Sequence, residues 1–351
     1  MKKILLSVLL VPILLVACGA PPVCVCQCEC PQATSEAVSG TLEPQAPRSS
    51  IPQGGWTYED MVVGFVQIGS ESGWRTANTI SFKETAMELG ITLKFYDSAG
   101  VISSGQERAF REFLVDEDVN VIVLDAFEPT GWEDMLREAR AAGKIVILED
   151  RRIDAPDDLY ATYIGSDFLE EGRKAGAEMC KLLEGMPEKN IWELAGSVGS
   201  SAARERGQGF HEKVGECGIQ VIRSQTANWN IREGKAVTEA WLKEPQDIQG
   251  IFAQNDDMAL GVIEALKEAG LKPGLEVKIV SVDGTSGAFK AMLAGELNVS
   301  VECNPLLAPQ VYEAALKALN GKSLPKWIPA KEGVFRADDP NLQKIADSRK
   351  Y

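Results

Sequence analysis

From Met61 onward, short apolar runs alternate with amphipathic stretches in which apolar residues recur at three- and four-residue spacing. The short runs predict strands at 61–68, 91–97, 119–125, 144–150, 191–196, 219–225, 250–255, 277–283 and 298–303. The amphipathic stretches predict helices between them, for example over Gly131 to Ala142 and over Asp256 to Ala269. Gly90, Gly143 and Gly270 stand where C-cap glycines would stop three of these helices. This alternation is that of βα units feeding a parallel sheet. The strands are too many for one compact doubly wound unit and the run divides near Tyr160 to Ser166, so two similar α/β lobes are expected.

Open α/β sheets bind ligands at the carboxyl ends of their strands. Here strand after strand ends in polar groups: Asp97, Asp125, Asp150 with Arg151, Asn255 with Asp256, and Asp283. Any one of these serves equally well as a helix N-cap or turn former. Their repetition at the same end of several strands is what points to a binding crevice.

The first residues have a different pattern. Lys2 and Lys3 precede an apolar stretch from Ile4 to Val16, interrupted only by Ser7 and Pro12 and too short for a membrane span. Leu15, Val16, Ala17, Cys18 and Gly19 then resemble a bacterial lipobox, so residues 1–18 are expected to be a lipoprotein signal peptide, with the lipid on Cys18. The expected location is extracytoplasmic, with the membrane as an anchor only. Residues 19–56, rich in Pro, Ser, Thr, Gln and Gly without periodicity, read as a flexible tether. Within it Cys24, Cys26, Cys28 and Cys30 suit neither a zinc knuckle nor a CxxC redox motif and allow three internal pairings. Cys180, Cys217 and Cys303 lie in the globular part, where export permits a disulfide between two of them without the sequence choosing the pair.

Composition narrows the function. A chain of 351 residues with 36 Lys and Arg against 51 Asp and Glu carries a formal charge of -15, which disfavours nucleic acid as a partner. His211 is the single histidine and sits on a helical pattern, so neither a catalytic triad nor a histidine metal site is expected. Gly196 to Gly199 are not followed by the Lys-Ser/Thr of a phosphate loop. The Asp256–Asp257 pair reads as a helix cap with a solvated neighbour rather than as a glycosidase dyad. No catalytic residue, cofactor or metal is expected, and the chain is read as a binding protein, not an enzyme.

Binding a sugar requires planar apolar faces and bidentate polar groups. Trp74 with Arg75 follows the first strand, Asp150 with Arg151 ends the fourth, Arg206 and Trp229 follow later ones, and Asn255 and Asp283 end two more. The stretches VGFVQIGSESGWR (63–75), TGWEDML (130–136), LEDRRID (148–154), GSVGSSAARERGQGF (196–210), FAQNDDMALG (252–261), KEAGLKPG (267–274), SVDGT (281–285) and SVECNP (300–305) resemble the periplasmic sugar-binding proteins of the ribose and galactofuranose type. The resemblance covers about residues 57 to 351, and GSESGWR and TGW are closer to the galactofuranose branch.

That resemblance implies a type I periplasmic-binding-protein fold: two doubly wound parallel lobes joined by a three-strand hinge near Gly165, Asn304 and Ala330. The N-terminal lobe would comprise 57–165 plus 304–330, and the C-terminal lobe 166–303 plus 331–351. It also implies Ser72, Trp74, Arg75, Asp150, Arg151, Arg206, Trp229, Asn255 and Asp283 as ligand-binding residues, with Trp229 in place of the family's stacking phenylalanine. Ile231 stands where an arginine is common and Cys303 where the ribose branch has a glutamine, which leaves the sugar open. The implied role is capture of a monosaccharide by a monomer that delivers it to the permease and ATPase subunits of an ABC importer. The alternative is a sugar-sensing receptor for a histidine kinase or chemoreceptor.

Overall fold

A computed structural model describes Pro52 and residues 54–70, 72–98, 102–244 and 247–351. The signal peptide, Cys18 and the four tether cysteines lie outside the described residues. The first of two six-stranded sheets collects β1 (Val62–Gln67), β2 (Thr92–Asp97), β3 (Val121–Leu124), β4 (Ile145–Glu149), β5 (Thr162–Gly165) and β11 (Trp327–Pro329), in the order β11-β5-β4-β3-β1-β2. The second collects β6 (Asn190–Ala195), β7 (Gln220–Thr226), β8 (Gly250–Ala253), β9 (Lys278–Asp283), β10 (Val299–Glu302) and β12 (Val334–Arg336), in the order β12-β10-β9-β8-β6-β7. Every pairing is parallel except that of β10 with β12. The chain passes from one sheet to the other three times: after Gly165, after Glu302, and between Pro329 and Val334.

The expected strands all appear, seven with trimmed ends and β6 and β7 shifted by one residue. Three more, β5, β11 and β12, are only 4, 3 and 3 residues long, too short to show a period in the sequence. The helices are α1 (Gly73–Leu89), α2 (Ile102–Val115), α3 (Glu133–Ala141), α4 (Phe168–Leu182), α5 (Ser201–Glu216), α6 (Ile231–Leu242), α7 (Asp256–Glu268), α8 (Ser286–Leu293), α9 (Ala308–Leu319) and α10 (Leu342–Ser348). The helix expected from Gly131 begins two residues later because Gly131 takes φ 92°, outside the helical region. Gly90, Gly143 and Gly270 all adopt the left-handed conformation expected of helix-terminating glycines.

Covering both faces of a parallel sheet buries its strands twice over, and β3 and β8 are buried at every position. In the first sheet, Phe65, Phe82 and Tyr312 fill one face while Phe110, Trp132 and Leu136 fill the other. The second sheet is packed by Trp192, Phe210, Phe252 and Phe289. A disulfide joins Cys180 on α4 to Cys217 at the end of α5, and Cys303 is the free, buried cysteine among the described residues. Closing a loop with a sequence separation of 37 residues restricts the unfolded chain by about 4 kcal/mol in the chain-entropy picture.

Strand order also fixes where a ligand can sit. In the first sheet the connection from β1 runs outward to β2, whereas β3 lies on the other side of β1. The second sheet repeats this with β6, β7 and β8. Adjacent loops therefore diverge at the carboxyl ends of β1 and β3, and of β6 and β8, leaving a crevice in each lobe. Among the described residues, no helix is long and apolar enough to cross a membrane.

Candidate functional site

The two crevices meet in one cavity lined by Ser72, Trp74, Arg75, Asp150, Arg151, Phe168, Ala202, Arg206, Trp229, Asn255, Asp283 and Cys303. All nine residues singled out in the sequence are in this lining; Phe168, Ala202 and Cys303 are additions. Phe168 and Ala202 gave no chemical signal in the sequence, and Cys303 was visible there as a disulfide candidate and as a departure from the ribose branch. Asp97, also a strand-end aspartate, is not in the lining.

Each lobe supplies an indole, an arginine and carboxylates that hold the arginine. In the first lobe the Arg75 guanidinium lies 4.6 Å from the Trp74 ring, bonds Asp150 through Nη2 at 2.7 Å and bonds Asp125 through Nη1. The Asp150 carboxylate is thus committed to Arg75, and the Arg151 Nε lies 3.6 Å away from it, beyond hydrogen-bond distance. In the second lobe Arg206 lies 5.5 Å from the Trp229 ring. Its Nε donates to Glu171 at 2.6 Å, its Nη1 to the Gln254 carbonyl at 2.8 Å, and Asp283 stands 3.9 Å from Nη2.

Backbone packing sets up these contacts. Glu171 meets Arg206 because α4 and α5 pack with almost no separation: a Cβ on Gly172 would lie 2.1 Å from the Arg206 carbonyl. Trp229 lies flat against the end of β6 because position 196 is glycine, where a Cβ would fall 1.9 Å from the ring. Of the four non-glycine residues with positive φ among those described, three line the cavity: Asp150 (57°), Trp229 (63°) and Asp283 (134°). Such conformations cost on the order of 1–3 kcal/mol each and persist where surrounding contacts fix them.

Two of the expected residues have structural duties as well. Ser72 caps α1, accepting from the Arg75 amide at 3.2 Å. Asn255 caps α7 through Met258 at 2.9 Å and donates to the Trp229 carbonyl at 3.3 Å, tying one wall of the cavity to another. Trp74 comes from the first lobe but packs into the core of the second and donates its Nε1 to the Cys303 carbonyl at 2.7 Å.

Asp256 and Asp257 differ from the helix cap with a solvated neighbour expected of them, since Asn255 is the cap. Asp256 is fully buried, accepting from Ser281 at 2.5 Å, Ser300 at 2.7 Å, and the Thr285 amide and hydroxyl at 2.7 and 3.0 Å. Burial raises its pKa to about 6 against the pull of those four donors. It anchors the turn that carries Asp283, whose carboxyl burial pushes well up in spite of Arg206. In the first lobe burial, reinforced by Asp125 and Asp150, likewise raises Glu149.

Glu171, Cys303 and Glu332 are the group of potential metal ligands found among the described residues, with donor atoms within 4.8 Å of one another. Their chemistry fits protons better than a cation. Glu171 is bonded to Arg206, while Glu332 accepts from the Ser166 hydroxyl and, at 3.0 Å, from the Asn304 amide. Burial, reinforced by Glu171, raises the Glu332 carboxyl to about 9 and burial also pushes the Cys303 thiol well up, so both are neutral near pH 7. Ser166, Asn304 and Glu332 belong to the three passages between the sheets, so this cluster ties the hinge together. His211, half-exposed on α5, bonds Glu193 at 2.9 Å and is not in the cavity lining.

Two parallel α/β lobes enclosing a polar cavity walled by indoles define a protein built to enfold a small solute. The chain belongs to the periplasmic binding proteins, a family of solute-binding proteins rather than enzymes, and the periplasmic binding protein domain matches residues 63–323. Its two-lobed architecture is the type I fold of that family. It is similar to the galactofuranose-binding protein YtfQ of Escherichia coli (strain K12), with 40% identity over 290 residues, 81% of this chain and 90% of that one. A Mycobacterium smegmatis protein solved in complex with β-D-fucofuranose superposes with a TM-score of 0.77 at 40% identity, over 82% of this chain and 97% of that one. The periplasmic binding component of an arabinose ABC transporter from Shewanella sp. ANA-3, bound to α- and β-L-arabinofuranose, gives a TM-score of 0.79 at 38% identity, over 83% and 96%.

Proposed function

We propose that this chain is a lipid-anchored extracytoplasmic receptor that closes on one neutral monosaccharide, galactofuranose-like or another furanose or pyranose, and delivers it to an ABC importer. The observation that carries this reading is the balance of charge and donors in the cavity. Arg75 and Arg206 already face carboxylates, so an anionic ligand would find no uncommitted pair of guanidiniums to enter. The buried Arg151 Nε and Nη1 and the Trp229 Nε1 have no hydrogen-bond partner among the described residues. Uncharged hydroxyl and ring oxygens would satisfy those donors, while the Trp74 and Trp229 faces would cover the ring. Relatives that bind galactofuranose, fucofuranose and arabinofuranose support the same ligand class.

Closure would hinge on the three passages between the sheets, with the lobes dividing as 57–165 plus 304–330 and 166–303 plus 331–351. Mass spectrometry of ligand carried through native purification should identify a pentose or hexose. That sugar at a hundredfold excess over its Kd should add about 2.7 kcal/mol of stability. A melting screen in which divalent metals or ATP stabilise the protein and every furanose and pyranose sugar fails would refute the reading. The anchor rests on Leu15 to Cys18. Cys18→Ser is expected to move the protein from the membrane fraction to the soluble one; a variant still membrane-bound after high-salt washing would show that the tether is not lipid.

A further inference from the structure

Asp257, read in the sequence as a solvated neighbour of a cap, reaches across the cleft. Its Oδ2 accepts from the Gly73 amide at 2.8 Å. Gly73 is the first residue of α1 in the first lobe, and Asp257 is the second residue of α7 in the other. The two helices thus bring their amino ends together at the rim of the cavity, next to Ser72, Trp74 and Asn255 of its lining. Both ends carry the partial positive charge of unpaired amides. α1 has no acidic residue in its own first turn, so the carboxylate facing its amino end belongs to the opposite lobe. Asp256 is fully engaged within its own lobe and cannot take this part.

We propose that Asp257 is a closure latch: it neutralises the amino ends of α1 and α7 together only when the lobes are shut, and so sets how long a bound solute is retained. The proposal rests on the reading of the cavity as a solute site between closing lobes. Among the described residues, the ion pair that bridges the lobes, Arg152 with Glu205, is 3.9 Å long and partly exposed, the kind of contact that contributes little. The Gly73–Asp257 bond is short, joins a charge to a backbone dipole, and loses its acceptor on opening. Space is not the reason for the glycine, since a Cβ at position 73 would lie 3.6 Å from Asp257, an ordinary contact.

The bond can be cut from either side. Asp257→Ala removes the acceptor. Gly73→Pro removes the donor at a helix position that favours proline, after a Ser72 already extended at φ -143° and ψ 163°. In full-length protein, with D-galactose and L-arabinose as probes because both include furanose forms in solution, each variant should weaken binding about three- to tenfold. The loss should lie in faster dissociation, and the double variant should be no weaker than the worse single one. The melting temperature of the sugar-free variants should fall less than that of the sugar-bound ones, because the free protein shuts, and makes the bond, only part of the time. Small-angle scattering of sugar-free Asp257→Ala should show a larger radius of gyration than the parent. Unchanged affinity in both variants, or a sugar-free melting temperature lowered as far as the sugar-bound one, would overturn the latch. A parent that binds neither sugar would count against the sugar reading alone; identical scattering of parent and variant would then overturn the latch on its own.

Discussion

Asp150→Ala is expected to abolish measurable binding of the co-purified sugar, while Trp229→Phe keeps it. The Asp150 carboxylate is 5% exposed and holds the Arg75 Nη2 at 2.7 Å, with Arg151 next to it. Removing it leaves two buried guanidiniums short of negative charge and takes an acceptor from the cavity, a loss of roughly 3–5 kcal/mol. Because Asp150 sits at φ 57°, alanine also adds backbone strain. Asp150→Asn tolerates that conformation and keeps an acceptor, so it isolates the charge. Trp229→Ala should cost about 1–3 kcal/mol, since stacking is mostly dispersion and desolvation. Calorimetric titration of the four variants, with circular dichroism to show each is folded, gives the order. If Asp150→Ala bound as tightly as the parent while Trp229→Phe failed, the ligand contacts would have to be placed on other residues.

Glu332→Gln should remove a large part of the loss of stability at alkaline pH. Burial, helped by Glu171, lifts the Glu332 pKa to about 9 from the ordinary carboxyl value of 4.5. Between those two values the folded protein keeps a proton that the unfolded chain has released. The neutral carboxyl therefore makes its full contribution below the unfolded value, and stability falls as pH rises through this window, by up to roughly 1.4 kcal/mol per pH unit. Across the window the wild-type loss from this site is on the order of several kcal/mol. Glutamine is uncharged at every pH and keeps the carbonyl oxygen that accepts from Ser166 and Asn304. Urea denaturation at pH 6 and pH 9 should show a drop in the parent at least about 2 kcal/mol larger than in the variant. Parallel pH profiles would mean that Glu332 is already ionised in the fold.

The sequence made the central strands legible because a parallel strand buried on both faces must be a continuous apolar run. Val121–Leu124 and Gly250–Ala253 meet that condition at every residue. The crossing strands Trp327–Pro329 and Val334–Arg336 have neither the length nor full burial to leave such a run. In the cavity, Asp150 and Asp283 were visible because strand ends and motif likeness coincide there. Glu171 was not, because in the sequence it is one of several acidic residues on an amphipathic helix, and only the close packing of α4 on α5 removes it wholly from water and sets it against Arg206. Asp256 and Asp257 separate for the same reason. Adjacent residues on a helix point about 100° apart, and here one faces the interior of its lobe and the other faces across the cleft.

The left-handed backbone at Asp150, Trp229 and Asp283 bears on how this cavity can change over evolutionary time. A residue held at positive φ accepts few replacements, and β-branched ones least of all. Mutational drift at these three positions is thereby restricted whatever the ligand. Phe168, Ala202 and Cys303 line the same space without that backbone constraint. Retargeting the protein to a new solute, by natural divergence or in the laboratory, would proceed most readily through these three, around a rim of residues that the main chain itself keeps constant.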